Sequence, residues 1–132
     1  MRTRTKARQR AVESLFEAEQ RGVMSPDVFE RNPAVNDYAI ELAALVESNI
    51  ERINEIIDTY SQAWPLERMP AVDRAIVRVG IAELLWRPEV DSGVAVSEAV
   101  EIAGVLSTPE SGRFINGLLG QVATLRSSLS AL

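Results

Sequence analysis

Apolar side chains recur at intervals of three and four residues along most of the chain, a spacing typical of amphipathic α-helices. In the first such segment the apolar face consists of Ala7, Ala11, Leu15 and Ala18, and Gly22 marks its end. Strand-like alternation occurs only in the first ten residues and in the short stretch Val94, Ala95, Val96. The pattern therefore predicts an all-α fold.

Prolines, glycines and capping residues divide this pattern into about seven helices. The expected segments run over residues 5–21, from Ser25 to just before Asn32-Pro33, from Asn36 onward, over 55–61 behind a cap at Asn54, over 70–87, over 96–106, and from Ser107 toward the C-terminus. Ser25-Pro26 and the run STPE at 107–110 combine a capping residue with a proline in the first turn, as many helix starts do.

The segment 70–87 is apolar on nearly all sides. One face holds Val72, Ala75, Ile76, Val79, Ala82 and Trp86, and a second holds Val77, Gly80, Ile81 and Leu84. Such a helix lies at the centre of a bundle or turns its second face to a partner. Glu83 falls within the first face, where a carboxylate must be paired, and we expect an ion pair with an arginine. Gly117 and Gly120, inside the last helix, predict close approach of another helix or of a ligand.

Charge is distributed unevenly. The first ten residues, an arm with Arg2, Arg4, Lys6, Arg8 and Arg10, contain no acid, whereas the other 122 residues carry nine basic and 19 acidic side chains. Such a cationic segment attracts polyanions and releases counterions on binding. Cations at a helix N-terminus oppose the helix dipole, so stability does not explain the cluster. The alternative is a solvated arm that only aids solubility.

Several function classes are disfavoured by what the chain lacks. Without histidine or cysteine it has no usual zinc site, no disulfide and no Ser–His or Cys–His nucleophile. It contains no Walker loop, no G-x-G-x-x-G loop and no apolar stretch of membrane-spanning length. We therefore predict a cytoplasmic protein that is not an enzyme, forms a single domain over residues 1–132 and uses no metal or cofactor.

An ordered set of short motifs resembles the NusB family of bacterial transcription antitermination factors. After the Arg-rich start and AV…LF at 11–16, the set comprises WPLER at 64–68, VDRAIVR at 72–78, ELL at 83–85, VAVSEAVEIA at 94–103 and FING at 114–117. The resemblance implies two packed three-helix bundles. It also implies binding to boxA RNA of ribosomal RNA leaders, a complex with the ribosomal protein NusE, and action within the RNA polymerase antitermination complex.

The resemblance also implies two groups of site residues. The RNA-binding group comprises Arg4, Lys6, Arg8, Arg10, Arg113, Phe114 and Asn116. The NusE-facing group comprises Phe16 and Asp73. We add Arg74 and Val77 to it, because the second apolar face of the 70–87 helix, with Asp73 and Arg74 at its rim, is our candidate surface for NusE. We expect Arg8→Ala and Arg10→Ala to weaken RNA binding and to leave the melting temperature nearly unchanged.

The chain departs from the family pattern at a few positions. Phe16 replaces a common tyrosine, Val96-Ser97 replaces Ile-Asn, Gly104 stands where a lysine is common, and Gly120 replaces a frequent aspartate. Loss of the lysine makes RNA binding depend more on the arm and the partner.

Two other functions stay open. The chain could be a helical adaptor or a homo-oligomer, such as a homodimer, whose arm binds an acidic protein. It could also be a detached RNA-binding module of ribosomal RNA modification.

Overall fold

Eight α-helices and one 3₁₀ turn make up the computed structural model, which describes residues 3–34 and 36–131. The helices are α1 (Thr3–Arg21), α2 (Ser25–Arg31), α3 (Asp37–Ser48), α4 (Ile50–Tyr60), α5 (Ala71–Trp86), α6 (Ser92–Leu106), α7 (Pro109–Thr124) and α8 (Arg126–Ser130), with the 3₁₀ turn at Leu66–Arg68. The all-α prediction is confirmed, and α8 is the helix that the sequence pattern missed. Arg2 of the predicted arm lies outside the described residues.

Capping side chains account for three of the helix starts. Asn36, Asp91 and Thr108 open α3, α6 and α7 by accepting hydrogen bonds from backbone N–H groups of the first turn. Helix α6 begins at Ser92, behind the cap at Asp91, so residues 94–96 lie in a helix and the start predicted at residue 96 is four residues too late. None of the described helices combines the length and the apolar character needed to cross a lipid bilayer.

The boundary predicted at Asn54 is wrong. The chain breaks at Asn49, between α3 and α4, and α4 then continues through residue 54. The Asn54 side chain instead accepts a hydrogen bond from Arg78 Nε at 3.2 Å. The Asn54 side chain therefore contacts α5 and does not cap a helix.

The helices form two three-helix bundles, α1–α2–α3 and α5–α6–α7, and α5 packs the second bundle against α1 and α3 of the first. Helices α1, α2 and α3 contact one another, as do α5, α6 and α7, and α5 also contacts α1, α3, α4 and α8. This arrangement confirms the two-bundle prediction. It also explains why α5 is apolar nearly all round, because a helix surrounded by neighbours has little face left for water.

The second apolar face of α5 is buried inside the chain and is not free for a partner. Val77, Ile81 and Leu84 are all at most 1% exposed. A Cβ atom built on Gly80 would lie 2.6 Å from Cδ1 of Leu119, so this glycine permits α7 to approach α5. The close approach of another helix predicted at positions 117 and 120 is absent among the described residues, since a Cβ there would have no neighbour within 4 Å.

Arg126 caps the C-terminal end of α5. Its Nε donates to the carbonyl of Leu84 (2.6 Å), its Nη2 to that of Arg87 (2.9 Å), and its Nη1 to that of Val90 (2.8 Å) and to Ser92 Oγ (2.9 Å). The last carbonyls of a helix lack intrahelical donors and carry the negative end of its dipole. One guanidinium therefore satisfies several acceptors at once.

Arg126→Ala should lower the free energy of unfolding by about 2–3 kcal/mol, because several half-buried acceptors lose a charged donor. Arg126→Lys should recover only part of this loss, since an ammonium group cannot reach acceptors on several sides. Urea denaturation measures both variants. A loss below about 0.5 kcal/mol for Arg126→Ala, the range of ordinary surface substitutions, would contradict the capping role.

Candidate nucleic-acid interface

The cations of the predicted arm lie on two different sides of a helix, because α1 begins at Thr3. Residues four apart share a helix face, which groups Arg4 with Arg8 and Lys6 with Arg10. Arg4 and Lys6 are exposed, Arg10 is half-buried and Arg8 is buried. The four cations therefore cannot act as one phosphate-binding set.

Arg8 is held inside the protein by two carboxylates. Its Nε lies 2.9 Å from both carboxylate oxygens of Glu83, and its Nη1 lies 2.8 Å from Oε1 of Glu98. Tyr38 donates its hydroxyl to Glu83 at 2.5 Å, and Thr5 donates to Glu98 at 2.6 Å. The ion pair predicted for Glu83 is confirmed. The structure contradicts the prediction that Arg8 contacts RNA, because its guanidinium is buried and neutralised.

Tyr38 is the centre of a cationic cluster. The guanidinium carbon of Arg4 lies 4.2 Å from the Tyr38 ring centroid, and that of Arg87 lies 4.9 Å from it. Burial, together with the hydrogen bond to Glu83, raises the pKa of the Tyr38 hydroxyl well above its usual range. The phenol therefore stays protonated and keeps donating to Glu83 near neutral pH.

A groove of about 530 Å³ lies between the first half of α1 and the connection from α2 to α3. It is lined by Lys6, Ala7, Gln9, Arg10, Glu13, Asn32, Pro33, Asn36 and Ala39. We call it the polar groove. Cations that can pair with phosphates and amide side chains that can both donate and accept hydrogen bonds meet in it.

Arg10 is fixed along the polar groove. Its Nη2 donates to the carbonyl oxygen of Asn32 at 2.6 Å, and its guanidinium carbon lies 5.2 Å from the Phe29 ring centroid. Lys6 lies one helical turn away, exposed, and makes no hydrogen bond or ion pair with any residue in the described ranges. The groove thus presents one positioned guanidinium and one exposed ammonium on the same face of α1.

A second groove, of about 680 Å³, adjoins the polar groove at Arg10, Glu13 and Asn32. Its apolar walls are Phe16 of α1, Val72 of α5 and Leu106 of α6, and we call it the apolar groove. Phe16 is 39% exposed. The predicted partner residue Phe16 therefore lies at the surface, beside the cationic part of α1.

The partner residues predicted on α5 do not form a surface. Asp73 and Val77 are both fully buried, and Asp73 accepts a hydrogen bond from Ser111 Oγ at 2.7 Å. Asp73 also lies in the first turn of α5, where an acidic group favours the helix dipole. Arg74 is half-buried and bound to Glu19. Contact with a partner through Asp73 or Val77 is thus contradicted by their burial.

Arg74 and Arg78 together hold Glu19. Burial would raise the pKa of Glu19, but its hydrogen bonds to both guanidinium groups and their charges lower it below the ordinary value of 4.5. The stabilisation is therefore present above that value and is lost as the pH falls through the lowered pKa.

Between about pH 5 and about pH 3 we expect the wild type to lose more stability than Glu19→Gln. The difference should stay below about 1 kcal/mol, because water and salt screen a pair at the surface. Urea titrations at both pH values measure it. Identical pH profiles would show that the two arginines do not stabilise the Glu19 carboxylate.

The other predicted RNA-binding residues lie on α7, apart from the polar groove. Arg113 and Asn116 are exposed. Phe114 is half-buried, with its ring centroid 4.6 Å from that of Trp64 in an edge-to-face arrangement, so its main contacts are inside the fold. Helix α6 contacts both α1 and α7, and no hydrogen bond or ion pair within the described part of the chain joins these α7 residues to α1.

Sequence reasoning missed Gln9, Asn32, Asn36 and Tyr38 as neighbours of the cations. In the sequence, Asn32 indicated only the end of a helix and Asn36 only the cap of the next one. No local spacing relates them to Lys6, because the tertiary packing of α1 on α3 brings them together.

Comparison with known proteins gives a consistent result. The sequence profile of the NusB family matches residues 5–124. The transcription antitermination protein NusB of Kineococcus radiotolerans is 52% identical over 136 residues, covering 99% of this chain and 100% of the relative. NusB of T. maritima superposes with a TM-score of 0.85 at 28% identity, covering 100% of both chains. A chain in the crystal structure of antitermination factors NusB and NusE in complex with dsRNA superposes with a TM-score of 0.82 at 27% identity, covering 94% of this chain and 98% of that chain.

Proposed function

Because the chain belongs to the NusB family, we propose that it acts in transcription antitermination by binding the boxA element of ribosomal RNA leader transcripts together with NusE. NusE is a ribosomal protein of the small subunit, and the pair would act within the RNA polymerase antitermination complex. The observation that carries this proposal is the polar groove, where Lys6 and Arg10 face the α2–α3 connection.

The groove suits single-stranded RNA. Such RNA is bound through phosphates held by cations and through bases whose edges and faces are free of pairing. Lys6 and Arg10 provide the cations, and Gln9 and Asn32 provide amides that match the mixed donors and acceptors of base edges. Arg4, exposed on the Tyr38 ring, lies on the other side of α1 and would contact RNA only outside the groove.

Arg113 and Asn116 would make a second set of RNA contacts. Both are exposed on α7 and can bind a phosphate and a base edge. They would be contacted by a part of the RNA outside the polar groove, since neither residue lines it. Phe114 would act by holding this part of α7 against Trp64.

NusE is assigned to the apolar groove. The buried face of α5 leaves no room for a partner, whereas Phe16, Val72 and Leu106 line an accessible apolar surface. Exposed apolar patches edged by polar side chains are typical of protein-binding sites. Since the two grooves meet at Arg10, a partner seated there would border the bound RNA.

Fluorescence anisotropy with a short boxA RNA and a scrambled RNA, each with and without NusE, tests the proposal. We expect preferential binding to boxA RNA that tightens when NusE is added. Equal, weak binding to both RNAs that NusE does not change would contradict it. That outcome would favour a helical adaptor or a homo-oligomer whose basic residues bind an acidic protein.

A further inference from the structure

The start of α1 is an unfavourable place for a helix. Its first turn contains no acidic residue, and its cations lie at the positive end of the helix dipole. Arg4 with Arg8, and Lys6 with Arg10, are also like charges four residues apart, which repel on a helix. Contacts from other helices must therefore keep these turns helical and in place.

Those contacts converge on Arg8. Glu83 of α5 and Glu98 of α6 both bind its guanidinium, and Glu98 also accepts from Thr5. Ala7, next to Arg8, is 2% exposed, so α1 packs closely against its neighbours here. A shift of the first turns of α1 would leave the nearly fully buried carboxylate of Glu83 without its cation, which is costly.

Tyr38 connects the same cluster to the opposite wall of the polar groove. Its hydroxyl donates to Glu83, while its backbone N–H donates to the side chain of Asn36 at 2.8 Å. Asn36 lines the groove across from Lys6 and Arg10. One cluster therefore ties the cation-bearing turns of α1 to the connection that faces them.

From this geometry we infer that Glu83 and Tyr38 are positioning residues for RNA binding. Acting through Arg8 and Asn36, they set the distance between the two walls of the polar groove. Neither side chain touches the RNA, since both are buried. The inference rests on the proposed function and assigns to the buried cluster a role beyond stability.

Tyr38→Phe is the sharpest variant, because it removes one hydroxyl and keeps the ring under Arg4. At a temperature where the variant is fully folded, we expect boxA RNA affinity to fall about three- to tenfold, less than the full effect of one lost hydrogen bond to a charged group, because RNA binding responds only to the looser placement of Lys6 and Arg10. Amide hydrogen exchange in residues 5–11 should accelerate at the same time, because the first turns of α1 open more often. Glu83→Gln should have the same two effects and a larger loss of affinity.

Val122→Ala is the matched control. Val122 is fully buried in α7, so the variant loses stability without touching the cluster, and it should keep wild-type RNA affinity. If Tyr38→Phe also keeps wild-type affinity and exchange rates, the positioning role is overturned and the cluster is merely structural.

The Lys6→Ala variant distinguishes failure of the positioning inference from failure of the proposed function. When Lys6→Ala weakens boxA binding and Tyr38→Phe does not, only the positioning inference fails. When the wild type shows no preference for boxA RNA over the scrambled RNA, both proposals fail together.

Discussion

Arg8→Ala is expected to lower the free energy of unfolding by about 3–5 kcal/mol, the usual cost of removing one partner from a buried ion pair. The variant leaves the Glu83 carboxylate, 1% exposed, with the Tyr38 hydroxyl as its one remaining donor among residues 3–34 and 36–131. Glu98 loses its ion pair as well. This outcome reverses the expectation from the sequence, in which Arg8 was a surface residue.

Urea denaturation of Arg8→Ala beside Arg10→Ala provides the measurement and its control. Arg10 lies on the same helix but is half-buried and makes one hydrogen bond, to the carbonyl of Asn32, so its loss should cost about 1 kcal/mol or less. The double variant Arg8→Met/Glu83→Leu should recover part of the loss, because it removes two paired charges together but leaves Glu98 without its cation and the Tyr38 hydroxyl without its acceptor. A change below about 1 kcal/mol for Arg8→Ala would show that the pair contributes little.

The second large effect is on RNA binding. Lys6→Ala/Arg10→Ala should weaken boxA RNA binding about 10- to 30-fold at about 0.1 M salt, because two phosphate contacts are lost. The slope of log affinity against log salt should become shallower by about 1.4, at about 0.7 per contact on a single strand. Anisotropy titrations between about 50 and about 200 mM salt give both numbers.

Arg21→Ala/Arg68→Ala is the matched control for charge. Both arginines are exposed, and neither lines the polar groove, so the control removes two positive charges elsewhere on the chain. It should shift RNA affinity only slightly and leave the salt slope as in the wild type. An equal loss in both double variants would mean that RNA responds to net charge and not to the groove.

The spacing of apolar residues predicted most of the helices, but it did not show which other helices each of them contacts. The segment 70–87 was identified as a helix that is apolar nearly all round, which fits both a central helix and a partner-binding one. Only the fold shows that its neighbours are α1, α3, α4, α6, α7 and α8. The helix Arg126–Ser130 was missed because five residues are too short for an apolar repeat to be recognised.

The role of Arg8 as the buried partner of Glu83 could have been predicted from the sequence. Arg8 lies one helical turn before the apolar residue Val12, so the two residues share a face of the predicted helix. Glu83 was expected to need an arginine partner, and joining the two observations would have indicated Arg8. The polar groove could not be predicted from the sequence. The residues that face Lys6 come from the connection near Asn36, and only tertiary packing brings that connection next to α1.

The central claim is that boxA RNA binds in the polar groove. Backbone amide NMR of the whole chain during titration with boxA RNA tests it most directly. We predict the largest shift changes in residues 4–13 and 32–39, with smaller changes around Arg113 and Asn116. Changes confined to α7, with the amides of residues 4–13 unaffected, would contradict the claim.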